Sequence, residues 1–359
     1  MSGQKYIAYA ALPSWLTALA REAVVYAPRR EGKAVVYRPY SEGDMPEQRL
    51  RPTESAKHAV FPRSEALFTF RREGEPENPG QRKLSLREPE EPGRAIVFGA
   101  LSCDARGFFA FDPVYDGSGT SGYPSGAFKD PYYLKRREKT LLIVRACARP
   151  LATCFCHWVG GDPASEQGAD VLATDVEGGL VLRALTDKGA ELLSGEGLLN
   201  ATQEQEEAAA SAHAAARALM GDAPDLAAAP EALRSLFENA AFWSNESAHC
   251  LSCGACTYLC PTCYCFNITD ESNGIAGARI RSWDTCMSPL FTLEASGHNP
   301  RNGKAARLKN RVGHKFSYYP GLHGGRFSCC GCGRCIKSCP SSVDIRKIVL
   351  EAIKEAAHG

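Results

Sequence analysis

The sequence predicts an α+β protein. A mixed α/β domain (1–200) is joined by a helical linker (201–248) to a mostly helical, cysteine-rich domain (249–359). Three observations carry this expectation. Short β-prone runs bounded by Gly, Pro and charge crowd the first 185 residues. Past Thr202 the composition turns sharply to Ala, Glu and Leu, the strongest helix formers. Cysteine, 16 residues in 359, is concentrated beyond residue 249, where the run C-x2-C-x2-C-x3-C-P occurs twice.

The elements follow in order. "YIAYAALPSWLTALARE" reads as a short helix capped at Ser14, with Trp15, Leu16 and Leu19 packed inward. Pro13 and Ser14 interrupt its apolar run and only Lys5 precedes it, which argues against a secretion signal. "AVVYAP", "KAVVYRPY", "HAVFP" and "ALFTF" suggest strands of a small sheet or barrel, and the polar stretch 71–93 a solvated loop. "AIVFGA" and "TLLIVRAC" are buried-strand candidates, each leading into a cysteine. Residues 168–185 suggest a hairpin turning at Gly178-Gly179. The linker should form two or more helices broken at Gly221, Pro224 and Pro230, with Leu233, Leu236 and Phe237 on one stripe.

Bulk properties narrow the function. Hydrophobic content of 44% and charged content of 23% are ordinary for a globular chain. A net charge of +1 supplies no field toward nucleic acid or an anionic membrane. No stretch approaches the ~20 apolar residues of a membrane span. The expected location is the cytoplasm, where thiols serve as ligands more readily than as disulfides.

The repeated run is the strongest signal. Zinc sites usually use two separated CxxC pairs. Three cysteines at successive i+3 spacing instead wrap one corner of a cube, and the fourth, followed by proline, serves the other cluster, as in two-cluster ferredoxins. The expected ligand sets are Cys250, Cys253, Cys256 and Cys339 for one [4Fe–4S] cluster, and Cys329, Cys332, Cys335 and Cys260 for the other. Cys330 adjoins Cys329 but lacks the x2 spacing to Cys332. The insert between the runs should be helix and loop packed around the clusters.

A second group, Cys103, Cys147, Cys154 and Cys156, lies in the N-terminal domain. Each cysteine taken singly reads as a small buried hydrophobe. Four in one domain, with two closing strands and two in "TCFC", read as ligands of a third [4Fe–4S] cluster, with zinc and inert thiols as alternatives. Cys263, Cys265 and Cys286 are one thiolate short of a cubane and read as core cysteines or supports of neighbouring ligands. The match G-x-G-x-x-G at Gly117, Gly119 and Gly122 lacks the strand and helix that make the motif bind pyrophosphate, so it reads as a loop. The basic stretch 301–315 reads as a solvated face.

"CLSCGACTYLCPTCYCF", "RSWDTCMSPLF", "GHNPR", "RVGHKFSYYP", "CCGCGRCIKSCPSSVDI" and the "ATCFC" segment closely resemble one family of iron–sulfur subunits. It comprises the beta subunit of sulfhydrogenase, the corresponding iron–sulfur subunit of anaerobic sulfite reductase and the Flx-type iron–sulfur subunit associated with heterodisulfide reductase. The resemblance runs from about residue 51 to the C-terminus; the segment between Cys147 and Cys154 in "RACARPLATCFC" and Cys330 depart from its pattern. It implies an electron relay between a flavin-containing NAD(P)H-oxidising subunit and a separate catalytic or electron-bifurcating subunit. Such a chain is a non-catalytic part of an oxidoreductase complex. The competing reading is a disulfide or sulfur reductase using an iron–sulfur site and a reactive thiol, which needs an exposed thiol of low pKa.

Overall fold

The structure is a computed structural model that describes residues 3–75, 78–118 and 128–358. In chain order the strands are β1 (Lys5–Ala8), β2 (Val24–Glu31), β3 (Ala34–Pro39), β4 (Ser64–Glu75), β5 (Asn78–Arg87), β6 (Ala95–Leu101), β7 (Thr140–Arg145), β8 (Val171–Val176), β9 (Gly179–Ala184), β10 (Leu199–Asn200), β11 (Phe266–Ser272) and β12 (Ala276–Trp283). The helices are α1 (Leu12–Leu19), α2 (Ser102–Tyr115), α3 (Pro131–Lys139), α4 (Asp187–Leu193), α5 (Gln203–Ala218), α6 (Ala229–Ser235), α7 (Ala240–Glu246), α8 (Ala255–Tyr258), α9 (Lys304–Gly313), α10 (Tyr319–Leu322), α11 (Arg334–Lys337) and α12 (Ile345–His358).

Eight strands form one mixed sheet in the order β10-β1-β9-β8-β7-β6-β2-β3. β2, β6, β7 and β8 run parallel, and the flanking strands are antiparallel. Parallel strands covered on both faces read as near-continuous apolar runs, which is the pattern of β6 and β7. Side-chain alternation divides them between two cores. Ile96, Phe98, Leu141 and Ile143 face Leu12, Trp15 and Leu16 of α1. Val97, Leu142 and Val144 face Phe108 and Phe111 of α2 and Tyr133 of α3. The β8–β9 hairpin turns where expected, with Gly178 at φ +76°. Gly179 is demanded by close approach, because a Cβ there would meet the Ile7 carbonyl at 2.2 Å.

A second, antiparallel sheet has the order β11-β12-β4-β5. It corrects two expectations. The stretch read as a solvated loop contains β5, an edge strand whose Leu84 and Leu86 are exposed, so no buried face marks it in the sequence. The insert between the cysteine runs opens with the β11–β12 hairpin, and β12 pairs with β4 of the N-terminal half. Arg281 of β12 fixes that union. It is 4% exposed, donates to Glu65 of β4 at 2.6 Å and pairs with Asp130 at the start of α3.

The remaining elements surround a third core. Leu233 of α6, Trp243 of α7, Leu308 and Val312 of α9, and Ile348 and Val349 of α12 pack with Phe155 from the loop after β7. Helices α5, α6 and α7 occupy the segment expected to be helical. Two smaller expectations fail. Helix α1 begins at Leu12 with Pro13 in its first turn and no side-chain cap, so Ser14 lies inside it. "HAVFP" is not a strand, because its start belongs to a 3-10 turn over Ala56–Ala59 that delivers Val60 and Phe61 to the core. Of the glycine-rich match, Gly119 and Gly122 lie outside the described residues.

The two halves are held by a buried ion pair. Arg334, between Cys332 and Cys335, donates to both oxygens of Asp104 in α2 at 2.7 and 2.9 Å. The two side chains are 3% and 0% exposed. Asp104→Ala strands a buried guanidinium and should cost roughly 3–5 kcal/mol. An unchanged denaturation midpoint under anaerobic conditions would count against this role. Arg281→Ala should loosen the second sheet and speed amide exchange in both β4 and β12, while exchange in β7 stays unchanged.

Candidate metal centres

The two cysteine runs fold alike. In each, a left-handed glycine, Gly254 (φ +75°) or Gly333 (φ +71°), precedes a one-turn helix, α8 or α11. That turn carries the third cysteine, and the fourth follows it. The residue two places after the first cysteine turns its backbone N–H onto that sulfur: Ser252 to Cys250 and Gly331 to Cys329, both at 3.4 Å. Val343 N–H likewise reaches Cys339 Sγ at 3.3 Å. Such bonds favour the thiolate, the form that binds metal.

The chain then crosses. Cys250, Cys253 and Cys256 line one cavity together with Cys339 of the other run, and Cys335 borders it too. Conversely, the thiol of Cys335 is pushed up by burial and by the nearby sulfurs of Cys332, Cys260 and Cys329. Cys260 is thus gathered with the second run, and Cys339 with the first.

In the N-terminal half, Cys147 follows β7 and Cys154 and Cys156 lie on the loop beyond it. Burial, then Cys154 and Cys147, push the Cys156 thiol up to about 11, so the three thiols feel one another's charge. Leu151 N–H donates to Cys154 Sγ at 3.2 Å. Cys103, in the first turn of α2, joins them only through Arg51. That guanidinium donates to Cys154 Sγ at 2.5 Å, to Cys103 Sγ at 3.4 Å and to the Cys332 carbonyl at 2.9 Å. Cys103 also packs with Cys330 and Cys332. Among the described residues no group of three or more His, Cys, Asp or Glu closes round a single metal ion. A four-iron cube is larger and does not need such closure.

The N-terminal group abuts the second run backbone to backbone. Phe155 N–H donates to the Gly331 carbonyl at 2.8 Å. A Cβ on Gly331 would meet the Cys156 Cα at 2.5 Å, and one on Gly333 would meet the Thr153 carbonyl at 2.3 Å. The glycines of "CCGCGRC" therefore serve close approach as well as turning.

The other thiols pair locally. Cys263 is within hydrogen-bond reach of Cys260, Cys265 of Cys286, and Cys330 of Cys332. Hydrogen bonding by Cys330 holds Cys332 down to about 6 against the upward push of burial. Buried cations lie near them: Lys315 and Lys57 act on Cys265, and Lys315 and Arg311 on Cys263.

Those cations are what the sequence reading missed. Segment 301–315 is not a solvated face: Arg307, Arg311 and Lys315 are 5%, 4% and 2% exposed. Lys315 donates to Thr262 Oγ1 and the Ser328 carbonyl, and Arg311 to the Cys256 carbonyl. Lys57, 3% exposed, donates to the Cys263 carbonyl at 2.8 Å and lies 4.1 Å from the Trp283 ring centre. Among the described residues none of Arg51, Lys57, Arg311 and Lys315 has a carboxylate partner. Burial works against charge on Lys315 and Arg311, but neighbouring cysteines outweigh it and hold both pKa values above the ordinary range. On Lys57 burial wins and lowers the pKa, with Cys263 and Cys260 opposing it. Unpaired buried cations are costly, so a donor set of anionic sulfur beside them fits clusters ligated by thiolates.

Known proteins carry the same signature. The family model described as a 4Fe-4S dicluster domain matches residues 249–343. Sulfhydrogenase 2 subunit beta of Pyrococcus furiosus is 30% identical over 285 residues, covering 76% of this chain and 78% of that protein. No solved structure matches. With the doubled cysteine run, its crossed thiols and a relative aligned over most of both chains, this protein belongs to the iron–sulfur beta-subunit family of the sulfhydrogenases.

Proposed function

We propose that the chain is the electron-transfer subunit of a cytoplasmic multi-subunit oxidoreductase, relaying electrons between a flavin-containing NAD(P)H-oxidising subunit and a separate catalytic or electron-bifurcating subunit. The observation that carries this reading is the crossed gathering of thiols, Cys339 with Cys250, Cys253 and Cys256, and Cys260 with Cys329, Cys332 and Cys335. With a cysteine available for every iron, no position is left for a substrate. Clusters of this kind supply one-electron transfer when bound.

The protein's own residues set the conditions for that transfer. Backbone N–H groups at Ser252, Gly331 and Val343 and the cations Arg311 and Lys315 stabilise negative charge on sulfur. Cys253 is exposed, which brings the first set to the surface where a partner can dock. Cys147, Cys154, Cys156 and Cys103 are the ligands of a third [4Fe–4S] cluster in this reading. Arg51 then supplies the positive charge beside it, and contact with Gly331 supplies a short path to the second set.

The alternative, a reductase with a reactive thiol, finds less support. Hydrogen bonding to Cys286 lowers Cys265 to about 6, but Cys286 is 7% exposed and Cys265 packs against an apolar core. A substrate sulfur would have to reach an enclosed pair.

Anaerobically prepared protein should hold about twelve irons per chain, four for each of three clusters. About eight would retire the N-terminal cluster alone, and fewer would remove the crossed pair. Cys339→Ser should perturb the cluster of Cys250 while leaving that of Cys335 intact; damage confined to the Cys335 set would show local ligation instead. The isolated chain should not oxidise NADH until a flavoprotein partner is added. Robust NADH oxidation by the chain alone would contradict the relay assignment.

A further inference from the structure

A cavity of about 480 Å³ opens at the carboxyl ends of the parallel strands, on the N-terminal half of the molecule. Its lining includes Pro28 within β2, Gly99 near the end of β6 and Ala146 just past β7, with the loop 47–52 on another side. Loops at the ends of sheet strands are held by a rigid scaffold and commonly carry binding residues. Here β6 is also distorted. Its pairing with β7 slips between Phe98 and Ala100, and Gly99 sits at φ +74° with the Pro28 ring 3.3 Å from where a Cβ would stand. The Tyr37 hydroxyl donates to the Gly99 carbonyl at 3.1 Å and holds the bulge. Bulges of this kind commonly lie beside binding sites, where they re-aim the chain.

The charges in the cavity are unequally satisfied. Among the described residues four arginines line it (Arg49, Arg51, Arg145 and Arg149), and two carboxylates, Glu47 and Asp175. Asp175 is already taken, accepting from Arg145 at 2.6 and 2.5 Å and from the Tyr9 hydroxyl. Glu47 accepts the backbone N–H groups of Arg49 and Leu50. Arg51 turns toward Cys154 and Cys103. The side chains of Arg49 and Arg149 have no hydrogen-bond or ion-pair partner among the described residues, and both line the cavity, one from the loop 47–52 and one from the loop after β7.

We infer that this cavity binds a phosphorylated small molecule of mononucleotide size, with its phosphate held between Arg49 and Arg149. A planar guanidinium fork suits phosphate oxygens, and two free forks lining one cavity suit a phosphate group. The volume lies within the range of small-molecule sites and leaves apolar room beside Leu50, Leu101 and Ala148 for a base or ring. Cys147 borders the same cavity, so the ligand lies beside the N-terminal thiol group. That adjacency gains redox meaning only if the third cluster proposed above exists; the binding itself does not depend on it.

The test is calorimetric titration of the anaerobically purified full chain with three probes: adenosine 5′-monophosphate, flavin mononucleotide and inorganic phosphate. At least one mononucleotide should bind once per chain, at least tenfold more tightly than inorganic phosphate, and the two mononucleotide arms identify the ring. Arg49→Ala combined with Arg149→Ala should weaken that binding at least tenfold. Both positions are exposed, so the visible spectrum and iron content should be unchanged. Arg149→Lys should retain part of the affinity as a point charge. If neither mononucleotide binds better than inorganic phosphate, or the double variant binds as well as the parent, the inference is wrong. Iron content decides the third cluster separately, so the two readings fail independently.

Discussion

Lys57, Arg311 and Lys315 are buried and Arg51 half-buried beside thiols, and among the described residues no carboxylate answers any of them. A buried cation without a counter-charge is among the most expensive arrangements a protein can hold. Here each is turned toward sulfur or toward the backbone that carries it. Arg51 reaches Cys154 and Cys103; Arg311 reaches the Cys256 carbonyl; Lys315 and Lys57 flank Cys260 and Cys263. Thiolates in metal clusters are anionic, so the cations and the ligand sets explain one another. The third core, α6 through α12, is built around that exchange, since α9 supplies both apolar Leu308 and Val312 and cationic Arg311.

The same constraint explains why the halves are intergrown. If Arg51 is to serve sulfur on the loop after β7 and the backbone of Cys332 at once, the two must touch. Gly331 and Gly333 allow it by letting backbone meet backbone, and Asp104 with Arg334 clamps it at α2. The β11–β12 hairpin adds a second bond between the halves through β4. If the loop after β7 holds the third cluster proposed above, this packing keeps it close to the second run.

The sequence made legible what depends on local chemistry. The doubled cysteine run marked the 4Fe-4S dicluster domain, since its spacing and its prolines are local features. Gly178 marked the β8–β9 turn, and the apolar runs of β6 and β7 marked the buried centre of the sheet. What stayed hidden depends on distant partners. β5 and β11 carry only brief alternations, Leu84 and Leu86 in one and Phe266 and Ile268 in the other, and those residues are exposed; the strands exist by pairing with β4 and β12. Charge in 301–315 looked solvated because nothing in the segment reveals that Arg311 and Lys315 turn toward cysteines elsewhere in the chain. Cys103 is the instructive case for the site: sequence grouped it with Cys147, Cys154 and Cys156, while the fold reaches it through Arg51 and packs it equally against Cys330 and Cys332.

The central claim is that cluster thiolates provide the counter-charge for the buried cations. It is tested most directly by a thermodynamic cycle on Lys315. Melting temperatures of the parent chain and of Lys315→Met are compared with iron bound and after anaerobic chelation of the iron. Removing iron should destabilise the parent far more than the variant, and in the iron-free protein the methionine should be neutral or stabilising, because it replaces an unanswered buried charge with an apolar side chain of similar length. An equal loss in both proteins on removal of iron would contradict the account.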